Sequence, residues 1–144
     1  VRDMATLESA EGTTICVVDG SMVARKEISQ VLDKLGVKYH QANNGLEGWD
    51  RLKGLASRAQ AEGRDLSETI NLILLDAEMP EMDGYVLTRH IKGDTRFDRI
   101  PVVMHSSLSS EANRAMGKSV GVDAYVAKFD PVVLADTLRP LLQR

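Results

Sequence analysis

Residues 72–84 read LILLDAEMPEMDG, and the fold class can be inferred from this segment outward. It opens with four consecutive apolar residues, a run that is too short for a helix and is typical of a strand buried on both faces. Asp76 follows the run directly, Pro80 breaks the loop, and Asp83 is placed to cap a helix that continues to Ile91. The stretch therefore predicts a buried strand, a loop that begins with an acid, and a crossover helix.

The same order of strand and helix recurs on both sides of this stretch. We predict strands at 15–18, 37–42, 72–75, 102–104 and 125–127, each followed by a helix. Ser21 can cap the first helix, Gly36 and Gly121 can end the first and fourth, and Asp130-Pro131 can start the last. Right-handed crossovers place helices on both faces of a parallel sheet. The expected fold class is therefore α/β, a doubly wound five-stranded parallel sheet.

Length and composition bound the domain organisation. The 144 residues suffice for one domain with a full core but not for two, and 43% of them are hydrophobic against 27% charged. Residues 1–12 are small, polar and charged without a sustained period, which predicts a linker or disordered lead-in. We therefore expect a single domain over residues 13–144.

Charge and cysteine content exclude several classes of function. Eighteen basic residues stand against 21 acidic ones, so the net charge of -3 disfavours nucleic acid as a direct partner. The single cysteine, Cys16, excludes an internal disulfide and a multi-cysteine metal cluster, and we interpret it as a small buried residue of a strand. No apolar run is long enough to cross a bilayer, and the first residues lack the basic-then-apolar order of a signal peptide. We expect a cytoplasmic protein without membrane insertion.

Polar residues follow four of the predicted strands. Asp19, Asp76, Ser106 and Lys128 each come after an apolar run. The carboxyl ends of parallel strands lie along one edge of the sheet, where ligands of doubly wound folds bind. Two acids, a hydroxyl and an ammonium group are therefore expected to converge on one crevice.

This set of groups has a defined chemistry. Two neighbouring carboxylates repel unless they are protonated or share a cation, and oxygen ligands in a wet cleft suit Mg²⁺. A carboxylate beside Mg²⁺ can attack phosphorus to form an acyl phosphate. Lys128 and Ser106 would then bind phosphoryl oxygens. Asp76 is the preferred nucleophile because it ends the most apolar and most central strand.

Four segments resemble the receiver domain of two-component response regulators. They are VVD at 17–19, LLDAEMPEMDG at 74–84, PVVMHS at 101–106 and YVAK at 125–128. The match spans residues 13–142. The residues of the second segment, together with KFDP at 128–131, most resemble the receiver domain of CheV-type chemotaxis coupling proteins. The resemblance implies the CheY-like strand order 2-1-3-4-5. It also implies a CheW-like domain upstream, which fits a sequence that begins with Val1.

The resemblance assigns roles to particular residues. Asp76 is the phosphoryl acceptor, and Mg²⁺ is held by Asp19, Asp76 and the backbone carbonyl of Glu78. Ser106 and Lys128 contact the phosphoryl group. Tyr125 is the aromatic residue whose burial responds to Ser106. The implied function is a signalling switch in bacterial chemotaxis, phosphorylated by a CheA-like histidine kinase within arrays of chemoreceptors and kinase.

One position departs from the pattern. Receivers carry an acidic pair after the first strand, whereas here Asp19 is followed by Gly20. The missing acid is usually the direct metal ligand, so its absence is expected to weaken Mg²⁺ binding. We hypothesise that the side chain of Glu78 supplies part of the lost charge; the alternative is that it points to solvent and only its carbonyl matters.

Two other functions remain open on the sequence. A degenerate receiver would bind proteins without phosphorylation because Gly20 disables the metal site. An Asp-nucleophile phosphatase would use Glu78 as the acid two residues after Asp76, but such enzymes expect Thr where Pro80 stands. A flavodoxin-like flavin carrier is weaker still, since the loop after the first strand is short.

Several other residues are expected to be structural. His40, His90 and His105 lack ligand spacing to one another, and His105 is expected to face away from the site if Ser106 faces in. Trp49 is interpreted as packing in or near the core. The polar stretch 57–69 is interpreted as a lengthened helix followed by a surface loop.

Overall fold

The computed structural model describes residues 14–79, 82–106, 111–127 and 131–142. Its strands are β1 (Thr14–Val18), β2 (Lys38–Ala42), β3 (Leu72–Asp76), β4 (Val102–Ser106) and β5 (Ala124–Ala127). Its α-helices are α1 (Met22–Leu35), α2 (Gly45–Ala61), α3 (Gly84–Lys92), α4 (Glu111–Val120) and α5 (Pro131–Leu142). The strands pair in parallel in the order β2-β1-β3-β4-β5. The predicted fold class and strand order are confirmed.

The sheet separates two hydrophobic cores. Alternate residues of β1 and β3, such as Val17 and Leu74, pack on one face with residues of α1 and α5. Their neighbours, such as Val18 and Leu75, pack on the other face with residues of α2 and α3. Every residue of β3 is buried, as the continuous apolar run predicted. The half-buried β2 lies at the sheet edge.

The helix ends follow their capping residues. The Ser21 Oγ accepts a hydrogen bond from the backbone N–H of Ala24 at the start of α1, and Gly36 ends this helix with a φ of 75°. Asp83 caps α3 by accepting from the N–H of Val86 at 2.9 Å. These caps set where each helix leaves the sheet edge. They confirm the predicted starts of α1 and α3.

The polar stretch 57–69 contains the end of α2 and a short 3-10 helix. The helix continues to Ala61, and a short 3-10 helix at Leu66–Glu68 follows. Asp65 caps that turn reciprocally with Glu68, and Leu66 is buried in the core. The interpretation of a lengthened helix and surface segment is confirmed. The sequence did not predict this 3-10 helix, because one buried leucine does not form a repeating hydrophobic pattern.

Two strands extend further at their carboxyl ends than predicted, while β1 and β5 each begin one residue earlier. β3 includes Asp76 and β4 includes His105 and Ser106, because backbone pairing continues past the apolar residues. The polar residues are therefore held by the sheet ladder rather than by loops. The proposed linker 1–12 and the start of α5 at Asp130 lie outside the described residues.

Cys16 and Trp49 are structural, as interpreted. Cys16 is buried in β1, and burial raises the pKa of its thiol to about 12, so it stays a neutral thiol at physiological pH. Trp49 is partly buried and stacks on His90, with ring centroids 5.4 Å apart. Among the described residues, no helix has both the length and the apolar character to cross a membrane.

Candidate functional site

Three polar side chains form a row across the carboxyl ends of adjacent strands. Val18 pairs with Leu75, and Asp76 pairs with His105. Asp19, one residue beyond Val18, continues the same row. Since side chains alternate along a strand, this row points to the face that Val17 and Leu74 cover. The site therefore begins as a row of two acids and a histidine.

Asp76 lies at the centre of this row, at the end of β3. It is only 3% exposed, and its Oδ1 accepts a hydrogen bond from the backbone N–H of Glu78 at 3.2 Å. The N–H of Gly84 donates to the carbonyl of Ala77 at 3.0 Å, which holds the start of α3 against the strand end. One backbone N–H thus orients the carboxylate, and the loop that follows it is held at the start of α3.

Asp19 is fully buried and held from three directions. Its Oδ1 accepts from the N–H of Ser21 at 2.8 Å, and its backbone carbonyl accepts from Nη1 of Arg25 at 2.7 Å. Its Oδ2 lies 2.9 Å from Nε2 of His105, a close polar contact that lacks the alignment of a hydrogen bond. These contacts fix the orientation of the carboxylate.

The expected orientation of His105 was wrong. His105 and Ser106 do point to opposite faces of β4, as strand alternation requires. The site, however, extends over the end of the sheet and uses both faces. His105 therefore lies on the side of the two aspartates, and at 2% exposure it is shielded from water.

Ser106 approaches the site from the other face. Its Oγ donates to Oε1 of Glu78 at 3.0 Å, and the serine is fully buried. Glu78 is exposed as a residue, yet its carboxylate reaches back into the crevice. The alternative that this side chain points away into solvent is therefore wrong.

Tyr125 is half-buried beneath α4. A Cβ on Gly117 would lie 2.9 Å from the tyrosine ring, so the ring occupies space that the glycine leaves open. The guanidinium of Arg114 lies 5.2 Å from the ring centroid. Tyr85 on α3 is a neighbour that sequence reasoning missed; burial and a hydrogen bond with Tyr125 raise the pKa of Tyr85 to about 12.

Comparison with known proteins identifies the family. Residues 15–139 match the response regulator receiver domain. The chain belongs to this family. Chemotaxis protein CheV3 of Helicobacter pylori is 33% identical over 137 residues, which cover 95% of this chain and 43% of CheV3. Chemotaxis protein CheY1 of the same species is 30% identical over 130 residues, which cover 89% of this chain and 95% of CheY1.

A solved structure agrees with the fold of this receiver domain. The chemotaxis protein CheY4 of Vibrio cholerae superposes with a TM-score of 0.70 at 25% identity, over 90% of this chain and 98% of that one. The chain spans less than half the length of CheV3 but nearly the whole of CheY1. The receiver fold and the likeness to chemotaxis proteins are thus shown.

Most of the predicted site residues lie within the part of the chain that the structure describes, and one lies outside it. Asp19, Asp76, Glu78 and Ser106 are brought together at one sheet edge, whereas Lys128 lies outside the described residues. Gly20 is exposed in the bend between β1 and α1. Positive φ values occur, among the described glycines, only at Gly36, Gly63 and Gly121. A side chain at position 20 would therefore meet no left-handed backbone strain.

The donor chemistry of the receiver site fits Mg²⁺. Receiver domains generally bind this ion at the phosphorylation site, and Mg²⁺ takes one or two carboxylates with water and phosphate oxygens. Asp19 and Asp76 offer two carboxylates at one edge. Within the ranges that the structure describes, no three His, Cys, Asp or Glu side chains are grouped as a cage. Asp19 and Asp76, with the carbonyl of Glu78, would hold the ion.

Proposed function

We propose that this receiver domain is a phosphorylation-controlled switch that accepts a phosphoryl group from a histidine kinase on Asp76, with Mg²⁺ as cofactor. One observation carries the proposal: the carboxylate of Asp76 ends the central strand between the acid after β1 and the hydroxyl that ends β4. A nucleophile, a second acid and a hydrogen-bond donor at one strand edge suit phosphoryl transfer. The domain would be a regulatory phosphoacceptor rather than an enzyme.

The transfer step is a displacement at phosphorus. A carboxylate oxygen of Asp76 attacks the phosphorus of a phosphohistidine, the P–N bond breaks, and the leaving imidazole nitrogen takes a proton from solvent. Bound Mg²⁺ supplies neutralisation of the charge that spreads over the transferring group. The backbone N–H of Glu78 orients the attacking carboxylate. Ser106 and Lys128 would bind oxygens of the resulting acyl phosphate.

The contacts of Ser106 and Tyr125 support a switching role. Ser106 now donates to Glu78, so binding a phosphoryl oxygen would require it to exchange one acceptor for another. Its strand neighbour Ala127 is two residues from Tyr125, which packs on α4. Movement of Ser106 would thereby change the packing of Tyr125 against Gly117. We expect the face of α4, β5 and α5 to read out this change.

The partners follow from the relatives. Likeness to CheV3 and CheY1 supports a role in chemotaxis, with a CheA-like kinase as phosphoryl donor and the chemoreceptor array as the setting. The unmatched length of CheV3 leaves room for an attached domain, which we propose to be CheW-like. Exposed Met22 and Val23 lie at the start of α1, beside Asp19, and offer an apolar contact for the donor.

Incubation with acetyl phosphate tests the function. With Mg²⁺ present, intact-mass spectrometry is expected to detect one added phosphoryl group, and omission of Mg²⁺ should remove most of it. Acetyl phosphate is used because it needs no docking partner. Absence of the adduct at saturating donor and Mg²⁺ would refute the proposal.

A degenerate receiver is the second candidate. It is favoured by Gly20, which contributes no carboxylate, and by the contacts of Asp19, whose Oδ1 accepts from Ser21 and whose Oδ2 lies against His105. Such a domain would bind its protein partner equally well with or without a phosphoryl donor. Beryllofluoride separates the two candidates, since only a working acceptor site would show spectral changes at Asp76 and Ser106 in the presence of Mg²⁺.

Glu78→Gln is expected to weaken Mg²⁺ binding. The carboxylate of Glu78 reaches Ser106 within the site, so its charge contributes to the potential that a cation meets. Because the residue is exposed, solvent screens this charge. We expect the dissociation constant to rise by up to about fivefold, which corresponds to ~1 kcal/mol. Isothermal titration calorimetry with MgCl₂ measures the change.

The matched control is Glu62→Gln, which removes the same charge at the far end of α2. It should leave the Mg²⁺ affinity unchanged. Equal affinity of the Glu78 variant and the native chain would reject compensation for Gly20.

A further inference from the structure

His105 and Asp19 are in contact although they belong to strands that are not neighbours in the sheet. His105 lies on β4 and Asp19 follows β1, and β3 separates these strands in the sheet. Strands one removed from each other are about 10 Å apart, so both side chains must extend toward each other to bring Nε2 within 2.9 Å of Oδ2. The line between them passes over the end of β3, on the face toward which Asp76 points. The imidazole therefore extends along the sheet edge from β4 to the acid that follows β1.

The contact is formed by the Asp19 oxygen that the backbone leaves available. Oδ1 accepts from the N–H of Ser21, while Oδ2 faces His105. Neither Oδ2 nor Nε2 has a well-aligned hydrogen bond among the described residues, so the pair forms a close polar contact between two buried groups. Both residues are almost entirely shielded from water, and a polar contact with a charged group is strengthened there. A cation that binds Asp19 through Oδ2 must replace this contact.

We propose that His105 is a positioning residue that holds Asp19 in the absence of a divalent cation and competes with that cation for Oδ2. The imidazole places a polar ring nitrogen against the Asp19 carboxylate at the edge where negative charge collects. His105 thereby stabilises the cation-free form, and Gly20 leaves no second acid to offset the competition. This inference rests on the proposed function, since it concerns the cation that assists Asp76.

Binding of Mn²⁺ alone, read from the electron paramagnetic resonance signal of the free ion, tests the competition. His105→Asn shortens the donor so that it cannot span two strands, and His105→Leu removes it. Both variants are expected to bind Mn²⁺ about tenfold more tightly than the native chain, the scale of a hydrogen bond to a charged group. His105→Gln keeps a donor with nearly the original reach and should retain the native affinity.

The expected rescue by glutamine distinguishes positioning from packing, because Gln and Asn differ by one methylene group. Gly20→Asp, which adds a carboxylate at an unstrained position, serves as the positive control for tighter binding. Unchanged or weaker Mn²⁺ binding by the Asn and Leu variants would overturn the inference. So would a glutamine variant that behaves like asparagine.

A second measurement uses the native chain and needs no folded variant. Titration with diamagnetic Mg²⁺ is expected to shift the ring resonances of His105 in step with saturation, while those of His90, stacked on Trp49 outside the site, stay constant. A His105 signal that ignores Mg²⁺ at saturation would contradict the proposal. The acetyl phosphate assay tests the proposed function separately. An adduct, with no change in Mn²⁺ affinity or in the His105 resonances, would refute only this inference. Such a change without an adduct would refute only the phosphoacceptor function.

Discussion

Asp76→Asn is expected to abolish the phosphoryl adduct that acetyl phosphate forms with the native chain. The amide is nearly isosteric with the carboxylate, but its oxygen is a poor nucleophile and carries no charge for a cation. Asn can still accept the hydrogen bond from the N–H of Glu78, so the loop should keep its conformation. Intact-mass spectrometry measures the loss, and unfolding in urea checks that the fold persists.

Asp33→Asn is the matched control for this change. It makes the same substitution at an exposed position of α1, away from the sheet edge. Its adduct should equal that of the native chain. If the Asp76 variant still forms the adduct, another residue accepts the phosphoryl group and the assignment of Asp76 is refuted.

Gly84→Ala is expected to destabilise the domain by about 3 kcal/mol. A Cβ at this position would lie 2.2 Å from the carbonyl oxygen of Asp76 and 2.8 Å from Cα of Ala77. Both contacts are with backbone, so no side-chain rotation relieves them. α3 would have to move away from the end of β3, and the hydrogen bond from the Gly84 N–H to the Ala77 carbonyl would weaken. Urea denaturation measures the loss of stability, and the rate of adduct formation should fall with it.

Gly54→Ala is the control for adding a methyl group to a glycine of this chain. Gly54 lies within α2, and its added Cβ would have no neighbouring atom within 4 Å. Alanine favours the helix, so this variant should gain about 0.5–1 kcal/mol. A Gly84 variant that is as stable as the native chain would show that the strand end and α3 tolerate separation.

The proposed switch and the proposed competition at Asp19 concern opposite faces of the same strand. Ser106 contacts Glu78 on one face of β4, and His105 contacts Asp19 on the other. Phosphoryl binding would change the first contact, whereas cation binding would change the second. The two events can therefore be followed by separate resonances, although they are linked through one strand.

Local sequence patterns predicted most of the architecture. The apolar run before Asp76 requires burial on both faces, and Ser21 and Asp83 satisfy free N–H groups at the starts of their helices. These effects depend on residues a few positions apart. They are therefore visible in one sequence, as are the strand order and the family through the resemblance that the motifs carry.

The carboxyl ends of β3 and β4 were harder to predict from the sequence. Asp76 and Ser106 are polar and gave no strand signal, yet pairing with neighbouring strands extends the ladder through them. Strand pairing contributes backbone hydrogen bonds whatever the side chain is. The strand ends are thus set by the neighbour in the sheet rather than by hydrophobicity.

Patterns along the chain suffice to predict the doubly wound sheet, the edge at which the acids meet and the chemistry that oxygen ligands there can support. The turn of Glu78 back to Ser106 and the reach of His105 to Asp19 across β3 depend on the packed fold. Strand alternation states which face a side chain takes, but it does not state how far that side chain extends over the end of the sheet. Contacts between strands that are not neighbours depend on that reach, and the packed fold alone sets it.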